Sequence, residues 1–172
     1  MSFYSVSNPS NFAVQNQGQQ AAKQIQFLRN GFQQTVENIV ENINGVTYTA
    51  DQLVDRYLVR EGLDGSVTDF LPTAAEIVSA LNNNQWIKRD NQLQIDTPVR
   101  NGFYFDFMIY NEGGGDISVQ AQPGSGVTIG FPLGPFTVYS GSLVSVRVVV
   151  TNSNVGSEEV YVSVLTNLPF IL

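Results

Sequence analysis

The sequence contains no cysteine and no histidine, and only eight basic residues against fifteen acidic ones. Without cysteine there is no disulfide, no thiolate nucleophile and no thiolate metal site. Without histidine the usual general base and the commonest metal ligand are also missing. Charged side chains make up 13% of the 172 residues, about half the usual share. The eight basic residues (Lys23, Arg29, Arg56, Arg60, Lys88, Arg89, Arg100 and Arg147) are scattered, and the net charge is −7. No basic stripe exists to follow a phosphate backbone, so direct nucleic-acid binding is not expected. No apolar run is long enough to span a bilayer. Residues 1–16 lack the basic start and apolar centre of a secretory signal. Asn8-Pro9-Ser10, the one Asn-x-Ser/Thr triplet, carries the proline that forbids glycosylation.

Apolar residues reach 42%, enough for a core, and Asn, Gln, Ser and Thr take the place of charge elsewhere. Uncharged polar surface costs less to desolvate when two molecules meet, which points towards assembly. The strongest pattern lies in residues 102–165. Phe103, Phe105, Phe107 and Ile109 alternate with polar neighbours, as do Val144, Val146, Val148 and Val150, and again Val160, Val162 and Val164. Ile117, Val119, Ala121, Val127 and Ile129 continue the pattern between them. Successive strand side chains point to opposite faces, so each run predicts a half-buried strand. Turn residues separate the runs: Gly113–Asp116, Pro123–Gly126, Gly134-Pro135, Ser140–Ser142 and Asn154–Gly156. Short strands at this spacing predict an antiparallel sandwich or barrel, and we take a jelly-roll-like β-sandwich over residues 99–172 as the expectation.

The chain ahead of it divides into residues 1–45 and 46–98. Residues 1–18 are rich in Ser, Asn and Gln with interspersed Phe3, Tyr4, Phe12 and Val14, and read either as an arm docking on a neighbour or as a frayed end. Ala22, Ile25, Leu28, Phe32, Val36, Ile39 and Ile43 recur at a mean step near 3.6, predicting an amphipathic helix over 19–43 that stops at Asn44-Gly45. Thr49-Ala50-Asp51-Gln52 is a capping box for a helix reaching about Val59, and Thr73-Ala74-Ala75-Glu76 opens a second through Leu81. Trp86, Ile87, Leu93 and Ile95 suggest a short hairpin-like passage around Asp90-Asn91. The fold class is therefore mainly β with N-terminal α: a C-terminal antiparallel sandwich preceded by short helices.

A search for chemistry finds little. Asp51 and Asp55 share one helical face, the only pair a carboxylate hydrolase could use, and a solvated face explains them better. Glu158 and Glu159 point to opposite sides of a strand. Asp64 and Asp69 flank a loop without EF-hand spacing and read as turn formers. Gly113–Asp116 lacks the Lys-Ser/Thr of a phosphate loop, and a hairpin is the plain reading. Gly124-Ser125-Gly126 lacks the context of a nucleophile elbow. No catalytic, cofactor or metal residues emerge. Arg147, the one charge in an apolar strand, either pairs with Asp106, Glu112 or Glu158 or stands as a solvated charge guarding a sheet edge.

The order Tyr48–Leu53, Arg60, Asp64-Gly65 and Thr68-Asp69-Phe70-Leu71-Pro72-Thr73-Ala74-Ala75-Glu76-Ile77-Val78 resembles small β-rich virion structural proteins of tailed phages and large double-stranded DNA viruses. The similarity continues through Phe105–Asn111, Gly124–Ile129, Val146–Asn152 and Gly156–Val160, covering about residues 46–165. It implies a non-enzymatic capsid cement, decoration or spike-type protein located in the virion. Such a protein is often a homotrimer, and its partners are itself and the major capsid or other virion proteins. Interface candidates are Phe3, Tyr4, Phe12, Ile25, Phe32, Trp86, Tyr104, Tyr110 and Arg147, since aromatic residues and arginine dominate contact energetics. Phe103 is a further candidate anchor, with core packing the stronger expectation because it shares the inward face. The alternative is a receptor- or glycan-binding β module using Trp86, Tyr104, Tyr110 and Tyr139.

Overall fold

A computed structural model describes residues 36–84, 98–130 and 134–169, all within one unit, Thr35–Ile171. Two sheets are present among them. The larger has six strands in the order β1 (Val36–Glu41), β2 (Arg56–Glu61), β4 (Tyr104–Asn111), β8 (Ser142–Asn152), β9 (Glu159–Pro169) and β6 (Val127–Ile129). The smaller has three, β3 (Val67–Phe70), β5 (Ile117–Gln120) and β7 (Phe136–Val138). Helices α1 (Ala50–Val54) and α2 (Ala74–Asn83) complete the described elements.

This overturns the antiparallel jelly roll. Four of the strand pairs, β1·β2, β2·β4, β3·β5 and β6·β9, are parallel, against three antiparallel pairs, β4·β8, β8·β9 and β5·β7. The turns explain the difference. Gly113–Asp116, Pro123–Gly126, Gly134-Pro135 and Ser140–Ser142 each carry the chain from one sheet to the other, so the strands they join are not neighbours. Only Asn154–Gly156 closes a hairpin, between β8 and β9. The reading of Gly113–Asp116 as a hairpin turn is thereby corrected. Its glycines serve close packing instead: a Cβ on Gly115 would sit 2.0 Å from the carbonyl oxygen of Gly65.

The alternation itself holds. Phe105, Phe107, Ile109, Val144, Val146, Val148, Val150, Val160 and Val162 are all buried in one core with Ile117, Val119, Phe136 and Val138 of the smaller sheet. Phe103 joins that core, as its inward position demanded. Both capping boxes form, with the Thr49 and Thr73 hydroxyls accepting from the N–H groups of Gln52 and Glu76. They point Leu53 and Val54, and Ile77, Val78 and Leu81, into the same core. Leu71 and Ala74 of the Leu-Pro-Thr-Ala-Ala motif are fully buried, so that motif marks a core-facing helix start.

Two helix expectations fail. The amphipathic helix was to run to Ile43, but Val36–Glu41 is a strand parallel to β2, with Ile39 and Ile43 exposed. Val36, Ile39 and Val40 are β-branched or strand-compatible, and a neighbouring strand decides such ambiguous runs. Helix α1, expected to reach about Val59, stops at Val54. Arg56 follows with a φ of 75°, a left-handed turn that ends the helix and sends the chain into β2. Residues 1–35 and the passage around Asp90-Asn91 lie outside the described residues.

Candidate functional site

The feature best suited to contact is the outer face of the six-stranded sheet. Strand register builds it in rows. Tyr104, Val149, Tyr161 and Thr128 lie side by side across β4, β8, β9 and β6. The next row holds Asp106, Arg147 and Ser163, and beyond it come Met108 with Ser145, then Tyr110 with Leu143. Because Val144, Val146, Val148 and Val150 point inward, every one of these alternates points out. Tyr104 is 46% exposed, Tyr161 37% and Leu165, beside a bulge in β9, 44%.

Two of these side chains are held firmly. Arg147 donates from Nε and Nη2 to the two carboxylate oxygens of Asp106, at 2.7 and 2.8 Å. Its guanidinium also sits 4.5 Å from the centre of the Tyr104 ring, a cation–π geometry. The hydrogen bond to Asp106, more than the opposing desolvation, raises the Arg147 pKa above its ordinary value. Tyr161 lies over Gly130, where a Cβ would fall 1.7 Å from its hydroxyl oxygen. The missing side chain lets the tyrosine lie along the sheet. Tyr110 has its pKa raised by burial and by the nearby Glu112.

The face continues onto β2 and changes character there. Tyr57 and Val59 stand beside Met108 and Tyr110 on the outward side. Tyr57, Val59 and Met108 are buried, yet none joins the core cluster. The outer face thus has a covered end at β2 and an open end at β4, β8, β9 and β6.

A second arrangement lies inside the protein, where Arg60, Asp69 and Tyr48 meet. Both charged side chains have no exposure at all, and Arg60 Nε donates to Asp69 Oδ2 at 2.9 Å. The remaining guanidinium hydrogens reach the carbonyls of Val40, Asn42, Glu61 and Asn44 and the other Asp69 oxygen. The Tyr48 hydroxyl and the Val46 N–H also donate to Asp69. Burial above all, then the Asp69 charge, pushes the Tyr48 pKa well above 10.0, against the opposing pull of Arg60. Asp69, expected as a turn former, is instead the buried counter-ion of Arg60. The signal was available, because Arg60 shares the inward face with Leu58 and an acid follows nine residues later, across a glycine-containing turn.

An open groove of about 700 Å³ runs between the start of α1 and the outward side of α2, lined by small and polar residues with Asp51 and Glu76. Glu76 is engaged by its capping box. Asp55 accepts from Asn38 while Asp51 is exposed, so the two do not work as a pair. Among the described residues no three His, Cys, Asp or Glu side chains gather as a metal site. None of the described helices is long and apolar enough to cross a membrane.

Of the interface candidates, Tyr104, Tyr110 and Arg147 come together on the outer face. Arg147 pairs with Asp106 on an interior strand, so it does not guard an edge. Tyr139 is exposed in the β7–β8 connection. Phe3, Tyr4, Phe12, Ile25, Phe32 and Trp86 lie outside the described residues. No protein family, curated protein or solved structure matches the chain.

Proposed function

We propose that this chain is a non-enzymatic structural protein of a virion, a minor capsid, cement or decoration component that self-associates and binds a capsid shell. The sequence resemblance over residues 46–165 supplies the class and suggests three copies. The observation that carries the reading is the outer sheet face, where Tyr104, Tyr161 and Leu165 stand exposed around one neutralised ion pair. Its mechanism is burial of apolar surface, at about 25 cal/mol per Å² before ordering costs. Native mass spectrometry and sedimentation of the full chain test it, with several copies expected at micromolar concentration. A monomer at every concentration would remove the basis for the reading.

A second reading is a glycan-binding module. The exposed Tyr104 and the Tyr161 laid over Gly130 favour it, since sugar rings stack on such aromatic faces. A glycan array probed with the wild type, Tyr104→Ala and Tyr161→Ala separates the two. Binding lost in both variants with assembly intact supports the module, and no binding by the wild type rejects it.

A further inference from the structure

We propose that the open end of the outer sheet face pairs with the same face of a second copy about a two-fold axis. The inference rests on the self-association proposed above and departs from it on the count, replacing a threefold contact by an isologous one. Charge is the first argument. The chain carries −7, so two copies repel through most orientations. The open rows are the exception, because their only charged residues, Asp106 and Arg147, cancel each other. Acids stand at the margins instead, with Glu112 just past the end of β4 and Glu159 at the start of β9. A net-neutral centre holding three tyrosines and one arginine, with other charge kept to the margins, is the anatomy of a contact surface.

Self-complementarity is the second argument. A two-fold axis running parallel to the strands between Asp106 and Arg147 turns the ion pair end for end. Each arginine of one copy then faces the aspartate of the other, and four charges alternate in sign. A foreign partner would have to supply that pattern, whereas a second copy carries it already. Rigidity is the third. Arg147 is fixed by two hydrogen bonds and the Tyr104 ring, and Tyr161 rests on Gly130, so little side-chain freedom remains to be lost on contact.

The size of the face sets the strength. Three strands (β4, β8 and β9) at ~4.8 Å over the Tyr104–Tyr110 span at ~3.3 Å per residue, with the three residues of β6, give about 380 Å² of projected area per copy. Side-chain relief raises the accessible area above that projection. The pair therefore falls at the low end of specific interfaces and forms with rising concentration.

The test uses the full chain, with Val149→Glu and Val149→Lys, which place a charge in the middle of the row on a half-buried outward position. Each variant alone is expected to associate at least tenfold more weakly than the wild type by sedimentation equilibrium. An equimolar mixture of the two is expected to recover association, because opposite charges then meet across the axis. Circular dichroism and thermal melting check that both variants fold. If either does not, Ser145→Glu and Ser145→Lys, at a polar outward position on the same strand, replace them. A wild-type dimer that dissociates in both variants and returns in the mixture supports the proposal. Wild-type assembly that the variants leave unchanged, or a trimer, overturns this contact while self-association stands. A wild type that stays monomeric at all concentrations overturns both.

Discussion

Replacing Asp69 by Asn keeps the shape of the side chain and removes its charge at the centre of the buried cluster. Each carboxylate oxygen accepts two donors: Oδ1 from Val46 N–H and Arg60 Nη2, Oδ2 from the Tyr48 hydroxyl and Arg60 Nε. Whichever way an asparagine amide turns, its NH₂ group meets two donors. The guanidinium, with no exposure, is left charged and cannot shed its proton. Breaking a buried pair in this way costs about 3–5 kcal/mol. For a chain of this length each kcal/mol lowers the melting temperature by roughly 2–4 °C, so a drop on the order of 10 °C is expected. Chemical denaturation measures the free energy and a thermal scan the temperature. Hydrogen exchange should also quicken at Val46, whose N–H loses its acceptor, and through residues 42–44, whose carbonyls Arg60 holds. The double variant Arg60→Met with Asp69→Leu should cost less than the sum of the two singles, by ~2 kcal/mol or more. An Asp69→Asn protein within about 1 kcal/mol of the wild type would refute the claim that this pair holds β1 and the 42–46 segment in place.

Three further outcomes follow from the same geometry. Burial of Tyr48 raises its folded pKa well above the ordinary 10.0, so its proton-linked stability is complete below about pH 10. It is lost as pH climbs from there towards the folded value, at up to ~1.4 kcal/mol per pH unit; denaturation between pH 9 and 11 should show a steeper slope in the wild type than in Tyr48→Phe, which keeps only the contribution of Tyr110. Gly115→Ala places a Cβ against the Gly65 carbonyl and should destabilise by several kcal/mol, while Gly65→Ala, with nothing within 4 Å, should be neutral or slightly stabilising; equal effects in denaturant titration would reject the close-packing account. A double-mutant cycle on Asp106 and Arg147, whose side chains are 21% and 38% exposed, should give a coupling of only about 0.5–1 kcal/mol that shrinks with salt; a salt-independent coupling several times larger would contradict the screening argument.

How much of this was legible depends on range. Which residues face inward was readable, because a strand buries every second side chain whatever its partner. The capping boxes were readable because Thr49 with Gln52 and Thr73 with Glu76 act within one helical turn. Strand direction was not. Gly113–Asp116 looks the same whether it folds a strand back on its neighbour or delivers it to another sheet, and only packing across the core distinguishes the two. Val36–Glu41 failed for a related reason: apolar residues at 36, 39, 40 and 43 satisfy a helical step, and the edge of β2 overrides it. The inward position of Arg60 calls for a buried acid, but Asp69 is singled out only when β3 and β2 turn towards one core.

Two arginine–aspartate pairs therefore do different work in one small protein, and burial decides which. Around Arg60 water is excluded, every donor has a fixed acceptor, and any other arrangement of β1, β2 and β3 would strand a charge. That pair specifies a structure more than it adds net stability, since replacing it by well-packed apolar residues can be neutral. Around Arg147 water remains, screening leaves the pair little thermodynamic weight, and the fold would survive without it. What the outer pair does accomplish is local neutrality. On a molecule carrying −7, it gives one aromatic, half-exposed surface no net charge with which to repel its own copy.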